Sequence, residues 1–326
     1  LWRGGAREEG KMATVVILGG GVGGVVAAVE LKKRVNGAHR VVLVDRTAQH
    51  LFSPSLLWLM LGLREGRQIT RGLGSLERKG IEVIRAEVEG IDLKAQRVGT
   101  STGEVPYDYL VIALGADVVP EAMPGLAEAA HNVYTLRGAE TLRDALREFD
   151  GGRVAVVIAS LPFKCPPAPY EAAMLMEAAF TQKGIRSRVE MNVYTPETLP
   201  MPVAGPEMGR QVKELVESKD IGFHPKLKLA GVDPERRTLR FDGGREERFD
   251  FLLAIPPHRP PRAIRETGIT NEAGWIPVDK WSMETPVENV YALGDVTAIK
   301  LSNGLMLPKA GVFAHAQAKA VAERLA

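Results

Sequence analysis

The sequence predicts an α/β protein with two Rossmann-like dinucleotide-binding domains, the first of them discontinuous. Three observations carry that prediction. A short apolar strand, Ala13–Leu18, runs straight into Gly19-x-Gly21-x-x-Gly24 and then a helix, the context that gives this glycine pattern meaning. A second strand–helix–strand cycle follows past residue 150, and a last strand and helix, Val290–Leu293 and Lys309–Ala326, find no partner in it. Strands that alternate with helices point to parallel sheets, because parallel neighbours need a crossover. A chain of 326 residues suits about two domains at roughly 150 residues each.

In the first cycle, Ala13–Leu18 is a buried strand, Gly19–Gly24 a turn, Val25–Arg34 a helix and Arg40–Val44 the next strand. Leu56–Leu63 and Leu73–Lys79 read as short helices. Ile81–Asp92, Arg97–Thr100 and Val105–Pro106 alternate as a small antiparallel meander, and Tyr109–Leu114 is again a buried strand, closed by Gly115. In the second cycle, Leu142–Phe149 is helical, Arg153–Ala159 a strand, Ala172–Gln182 a helix and Val189–Tyr194 a strand. Met208–Lys219 is helical, Leu227–Leu239 a hairpin, and Phe251–Ile255 a strand. The domains so defined are 12–118 with 270–326, and 119–269.

Composition removes several classes. Lys and Arg number 42 against 40 Asp and Glu, a balance of +2 that excludes a polybasic nucleic-acid binder and an acidic solvating tail. The lone cysteine, Cys165, cannot form an internal disulfide or a four-cysteine zinc site. The histidines at 39, 50, 131, 224, 258 and 315 show no metal-ligand spacing, so no metal is expected. The apolar stretch from Leu51 to Leu63 is about 13 residues, short of the ~20 that span a bilayer. Residues 1–11 are charged and aperiodic and are expected to lie outside the natural fold. The terminal helix stops without a glycine, asparagine or proline signal, so the natural chain is expected to continue.

Each glycine of the fingerprint has a task. Gly19 allows the tight turn, Gly21 lets backbone approach a pyrophosphate, and Gly24 packs helix on strand. The helix N-terminus adds free N–H groups and a positive dipole for the phosphates. Asp45 closes the second strand, 21 residues after Gly24, placed to accept from a ribose hydroxyl. These features alone fit FAD and NAD equally.

The second cycle lacks such a turn. After Val154–Ala159 the chain reads Ser160-Leu161-Pro162-Phe163-Lys164-Cys165-Pro166-Pro167-Ala168-Pro169-Tyr170-Glu171. Four of residues 162–169 are proline, without the N–H that cradles phosphate, and no glycine permits close approach. Glu197, just past the next strand, is a weak ribose acid beside Pro196. The second domain is therefore expected to keep the fold without the nucleotide, and its loop offers a thiol instead, with Glu171 six residues on.

Two further segments carry a resemblance. Val290-Tyr291-Ala292-Leu293-Gly294-Asp295 resembles the late motif of two-dinucleotide-domain flavoproteins of the glutathione-reductase-like architecture, in which the aspartate holds the ribityl chain of FAD. Tyr109 to Ala116, ending Leu114-Gly115-Ala116, resembles the mid-chain strand that packs near the same cofactor. By that resemblance Gly19, Gly21, Gly24, Asp45, Gly115, Gly294 and Asp295 bind FAD. Pro308-Lys309-Ala310-Gly311 opens the terminal helix, which in the resembled fold faces the flavin pyrimidine. There Lys309 either adds charge or is simply solvated.

The segment Pro162 to Ala173 around Cys165, with Leu51-Phe52-Ser53-Pro54-Ser55-Leu56-Leu57-Trp58, resembles the sulfide:quinone oxidoreductase and flavocytochrome c sulfide dehydrogenase group. The resemblance runs from about Ala13 to Leu325. It implies FAD, oxidation of sulfide or a small sulfur species to sulfur or polysulfide, and a quinone or cytochrome as electron acceptor. It implies Cys165 as the carrier of the sulfur chain and Glu171 as general base or proton carrier, with a lowered thiol pKa to which Lys164 contributes. The plain alternatives are a small buried hydrophobe for Cys165 and a favourable helix-dipole charge for Glu171. Leu51–Leu63 lacks the redox cysteine pair of glutathione-reductase relatives, which excludes that class. The group's second active-site cysteine lies downstream of Gly-Asp and is absent here, so either it is expected beyond residue 326, with a segment that meets quinone and membrane, or the protein does different chemistry with one thiol. Trp58 lines a quinone path or, more in keeping with the leucines around it, a core helix. The expected location is cytoplasmic, peripheral on the inner face of the membrane, and the expected assembly a homo-oligomer. The rival readings are a type II NADH dehydrogenase-like flavoprotein and a flavoprotein scaffold subunit that needs a partner.

Overall fold

A computed structural model of the chain describes residues 12–35 and 37–326. Residues 1–11, set outside the fold by the sequence reading, lie outside the described residues. The elements that position the site are β1 (Thr14–Leu18), α1 (Val22–Val35), β2 (Arg40–Asp45), β3 (Glu82–Arg85), β4 (Tyr109–Ile112), β5 (Gly152–Ile158), α2 (Ala168–Gln182), β6 (Val189–Tyr194), β7 (Ile221–His224), β8 (Phe251–Ile255), β9 (Val290–Ala292) and α3 (Gly311–Leu325).

The first sheet is parallel, in the order β9-β4-β1-β2-β3. Val15, Val16, Ile17, Val41, Val42 and Val44 are buried almost completely, the continuous apolar run expected of strands covered on both faces. The chain leaves this sheet after β4 and returns to it with β9, Val290 pairing with Leu110. The discontinuity read from the sequence is thus a property of the sheet. On one face, Ala27, Ala28, Leu31 and Val35 of α1 meet Ala318, Val321, Ala322 and Leu325 of α3, so the last helix completes the core that the first begins.

The second sheet, β7-β6-β5-β8, is also parallel. Its strand β7 escaped the sequence reading because four residues between a helix and a loop carry little periodicity. Two boundaries also moved. Glu82–Arg85, read as meander, is the parallel edge of the first sheet, with Val42 opposite Glu82. Only Val88–Asp92 pairs with Arg97–Thr100. A half-covered edge strand alternates polar and apolar residues just as a meander does. Helix α2 begins at Ala168, four residues early, with Pro167 at its cap and Pro169 in its first turn. Proline costs little there, because first-turn N–H groups have no helical acceptor.

Leu56, Leu57, Leu59 and Met60 form one buried helical turn, as a core helix should, whereas Trp58 is 46% exposed with Arg64 over its ring. Among the described residues no helix is long and apolar enough to cross a membrane.

Candidate functional site

At the end of β1 the backbone turns at Gly19 with φ +104°, and a Cβ there would lie 2.4 Å from the carbonyl oxygen of Ala113. A Cβ on Gly24 would come within 1.8 Å of the Gly19 oxygen, so no other residue lets α1 sit this close to the turn. Around Gly21 the space is open for 4 Å. Asp45 reaches back into the turn, where its Oδ2 accepts from the Gly20 N–H at 2.6 Å while Oδ1 accepts from the amide and hydroxyl of Thr47. Three of about four carboxylate acceptor positions are thereby used, and one remains. The sequence assigned Asp45 a ligand but missed this turn-holding bond, which spacing alone cannot reveal.

At the end of β4 Gly115 has φ +73°, and at the end of β9 Gly294 has φ +75°; the Gly294 N–H donates to Oε1 of Gln317 at 2.7 Å. Beside it Asp295 is half-buried, and its carboxylate accepts no hydrogen bond from the described residues. Burial raises its pKa, while the charges of Lys164 and Lys309 pull it down. Lys309 is not solvated. It is 8% exposed, its Nζ donates to the backbone oxygens of Asp295 at 2.5 Å and Thr297 at 3.3 Å, and it lies 3.4 Å from the Trp275 ring centroid. Burial lowers its pKa to about 8, against the pull of Asp295. A cleft of about 10 Å³, about the size of one water, lies here, lined by Gly294, Asp295, Thr297, Pro308, Lys309 and Phe313 among others.

The cysteine loop of the second unit docks onto this end of the first. The Cys165 N–H donates to the Lys309 oxygen at 2.7 Å, and Lys164 and Lys309 form a parallel bridge. Tyr134, which the sequence did not single out, donates its hydroxyl to the Lys164 oxygen at 2.8 Å. Cys165 has φ +57°, a left-handed conformation that costs a non-glycine residue about 1–3 kcal/mol and survives only where the surroundings enforce it. Here the bonds on both sides of the peptide do so. The fold therefore brings together Cys165, Asp295, Gly294 and Lys309, which lie up to 144 residues apart in sequence.

The electrostatics correct one expectation. The Cys165 thiol is not acidified: burial, and after it the Glu171 charge, push its pKa up. Lys164 does not help the sulfur, because its buried Nζ points to the Ala116 oxygen at 3.4 Å and toward Asp295. Glu171 is exposed in the first turn of α2, near enough to act on the thiol as a repelling charge. Glu171→Gln is accordingly expected to lower the thiol pKa and speed alkylation of this chain's single cysteine a few-fold at neutral pH. An unchanged rate in a thiol-labelling time course would remove Glu171 from the site.

In the second unit, Glu197 stands just past β6 but is not available to a ligand. The Tyr170 hydroxyl, from α2, donates to its Oε2, Thr195 Oγ1 lies 3.3 Å from the same atom, and the residue is buried. Burial raises its carboxyl pKa despite those donors. Folding thus holds a proton that the unfolded chain releases above about 4.3, and the associated stability is lost as pH rises through the raised value. Glu197→Gln keeps an acceptor for Tyr170 and cannot ionise. Its melting temperature relative to wild type should climb with pH across that window, and a pH-independent difference would refute the buried-acid account.

A glycine turn with an acid on the next strand, a Gly-Asp at the returning strand and a second dinucleotide fold without a phosphate turn define a two-domain, flavin-dependent oxidoreductase. The chain belongs to the pyridine nucleotide-disulphide oxidoreductase family, whose sequence pattern matches residues 13–319. It is similar to the mitochondrial sulfide:quinone oxidoreductase of Mus musculus, 27% identical over 301 residues that cover 88% of this chain and 66% of the relative. It is also similar to the type II NADH:quinone oxidoreductase NdhA of Mycobacterium tuberculosis, 29% identical over 262 residues, 74% of this chain and 55% of that one. Among solved structures, the sulfide:quinone oxidoreductase from the hyperthermophilic bacterium Aquifex aeolicus superposes with a TM-score of 0.87 at 25% identity, covering 96% of this chain and 76% of that one. The chain thus spans between about half and three quarters of the length of these relatives. The resemblance to the sulfide:quinone group and the two-domain fold class both hold.

Proposed function

We propose that this chain is the FAD-binding and sulfur-carrying part of a flavoenzyme that oxidises sulfide, or a related small sulfur species, and delivers the electrons to a quinone or cytochrome. The observation that carries the reading is the 2.7 Å bond from the Cys165 amide to the Lys309 carbonyl. It holds the chain's one thiol at the Asp295 end of the glycine-rich site, where a flavin-binding protein would need a sulfur nucleophile.

The residues fit an FAD. Open space at Gly21, a φ > 0 turn at Gly19 and the α1 N-terminus suit a pyrophosphate, and the free acceptor position of Asp45 suits a ribose hydroxyl. The Asp295 carboxylate, half-buried without a donor among the described residues, suits a ribityl hydroxyl, with Gly115 and Gly294 turning the chain close to it. Lys309 and the N-terminus of α3 place positive charge where an anionic ring is stabilised. Bound there, FAD would take up two electrons and pass them on singly or in pairs. On this reading residues 12–118 with 270–326 form the FAD unit and 119–269 the unit that carries Cys165.

The chain's own chemistry centres on one sulfur. Oxidation of HS⁻ to a sulfur atom added to the Cys165 chain releases one proton and two electrons. Because burial and Glu171 keep the thiol protonated at rest, Cys165 must lose its proton before it can bond to sulfur, with the two electrons going to the bound flavin, and Glu171 is the first of the carboxylates whose charge reaches it, ahead of Asp295. Lys164 and Lys309 are directed away from the sulfur, toward Asp295 and the cofactor side. The reaction would run at a peripheral, cytoplasmic membrane surface and in a homo-oligomer.

The second unit offers nicotinamide cofactors no purchase: Pro162, Pro166, Pro167 and Pro169 remove amides from the phosphate turn, and Tyr170 occupies Glu197. The test is sulfide-dependent reduction of a soluble quinone by the flavin-loaded full-length protein. Turnover with sulfide and not with NADH supports the reading, and turnover with NADH alone overturns it.

A further inference from the structure

His258 lies where the two units meet, on a short strand whose backbone pairs with Val118 as the chain crosses between them. Its side chain is 4% exposed and stands edge-on to Tyr134 with ring centroids 5.0 Å apart. Tyr134 is the residue whose hydroxyl holds the Lys164 carbonyl next to Cys165. The Nδ1 of His258 is 2.8 Å from the carbonyl oxygen of Pro256. A carbonyl only accepts, so Nδ1 carries the hydrogen and Nε2 presents a lone pair. That Nε2 is buried and has no donor among the described residues.

Ionisation does not relieve it. Burial, with the charges of Lys164 and Lys309, pushes the ring's pKa down to about 3, so it is neutral at any working pH. The single O–H of Tyr134 is committed to the Lys164 carbonyl, and the Lys164 and Lys309 ammonium groups are directed to Ala116 and to Asp295 and Thr297 without reaching Nε2. A buried acceptor left without a donor is uncommon in native proteins and calls for a specific explanation.

We propose that His258 Nε2 is a binding group for the flavin, accepting a hydrogen bond from an N–H or O–H of the cofactor held at the Asp295–Lys309 site. This rests on the flavin reading above. Two kinds of donor share that chemistry. The ring N3–H and the ribityl hydroxyls exist in both redox states, whereas the N5–H exists only in the reduced ring. The first would add affinity in both states, and the second would favour reduction.

The test compares wild type, His258→Leu and His258→Gln by three readouts: melting temperature without flavin, affinity for oxidised FAD by fluorescence quenching, and the flavin midpoint potential. Leucine removes the unpaired Nε2 but also the Nδ1–H bond to Pro256, so the flavin-free melting temperature of each variant serves only as the check that it folds. Glutamine places an amide oxygen near the position of Nε2 and should rescue. A loss of oxidised-FAD affinity of about tenfold in His258→Leu, recovered in His258→Gln, identifies a donor present in both states. Unchanged oxidised affinity with a lower potential, about 30 mV for a tenfold loss in the reduced form alone, identifies the N5–H. If neither affinity nor potential moves while wild type binds FAD, the proposal is wrong and the flavin reading stands. A wild type that takes up no FAD refutes the flavin reading itself.

Discussion

Cys165→Ser is expected to abolish sulfide-dependent reduction of the flavin, a loss on the order of a thousandfold or more, as when a covalent nucleophile is removed. The fold should not notice. The Cys165 amide still donates to Lys309 and the left-handed backbone is unchanged, because both depend on the main chain. The side chain is only half-buried, and serine nearly matches it in size. What serine lacks is an anion accessible at neutral pH and the capacity to hold a persulfide. The comparison belongs in the full-length gene product, loaded with FAD, by anaerobic mixing with sulfide. Equal reduction in wild type and variant would leave Cys165 as a packing residue and remove the sulfur-carrier account.

Asp295→Ala is expected to be the most damaging change to flavin binding. The carboxylate accepts nothing from the described residues, so its acceptor capacity is free for the cofactor, and its loss leaves a buried ligand hydroxyl unpaired. That costs on the order of 1–3 kcal/mol, roughly five- to more than a hundredfold in affinity. Asp295 also raises the pKa of both Lys164 and Lys309, and without it the half-buried Lys164 and the buried Lys309 lose a counter-charge, so that burial pushes both further toward neutrality. Alanine is therefore not the cleanest variant, and Asp295→Asn separates the two effects by keeping an acceptor while removing the charge. Asparagine should retain more flavin than alanine while lowering the pKa of Lys309 below its wild-type position. Undiminished FAD retention in Asp295→Ala, measured after desalting, would contradict the assignment.

Much of this was legible in the chain itself. Gly24 announces a helix packed against a turn because no side chain fits there, and the proline run at 162–169 announces a loop that cannot cradle phosphate. Local chemistry of this kind is written in local sequence. The returning strand Val290–Ala292 was legible for a different reason: a fully apolar run with nothing left to pair with in the second cycle must pair elsewhere. What the sequence did not disclose depends on approach between distant segments. A carrier thiol is expected to be acidic because the thiolate is its reactive form, with Lys164 as its neighbour in sequence to help, yet the lysine side chain leaves in another direction and the charges that reach the sulfur belong to Glu171, a helical turn away, and to Asp295. Lys309 was left between charge and solvation, and Trp275, 34 residues earlier, decides for burial. Tyr170 on Glu197 and the orphaned nitrogen of His258 are likewise invisible until the two units are brought together.

The central claim, that electrons enter from sulfur and not from a nicotinamide, is tested most directly by mixing the FAD-loaded protein anaerobically with sulfide in one syringe and excess NADH in another, and following the oxidised flavin bands. Sulfide should bleach them within seconds and saturably, while NADH leaves them intact for minutes. Rapid, saturable bleaching by NADH with none by sulfide would contradict the account and make the chain a nicotinamide-dependent flavoprotein.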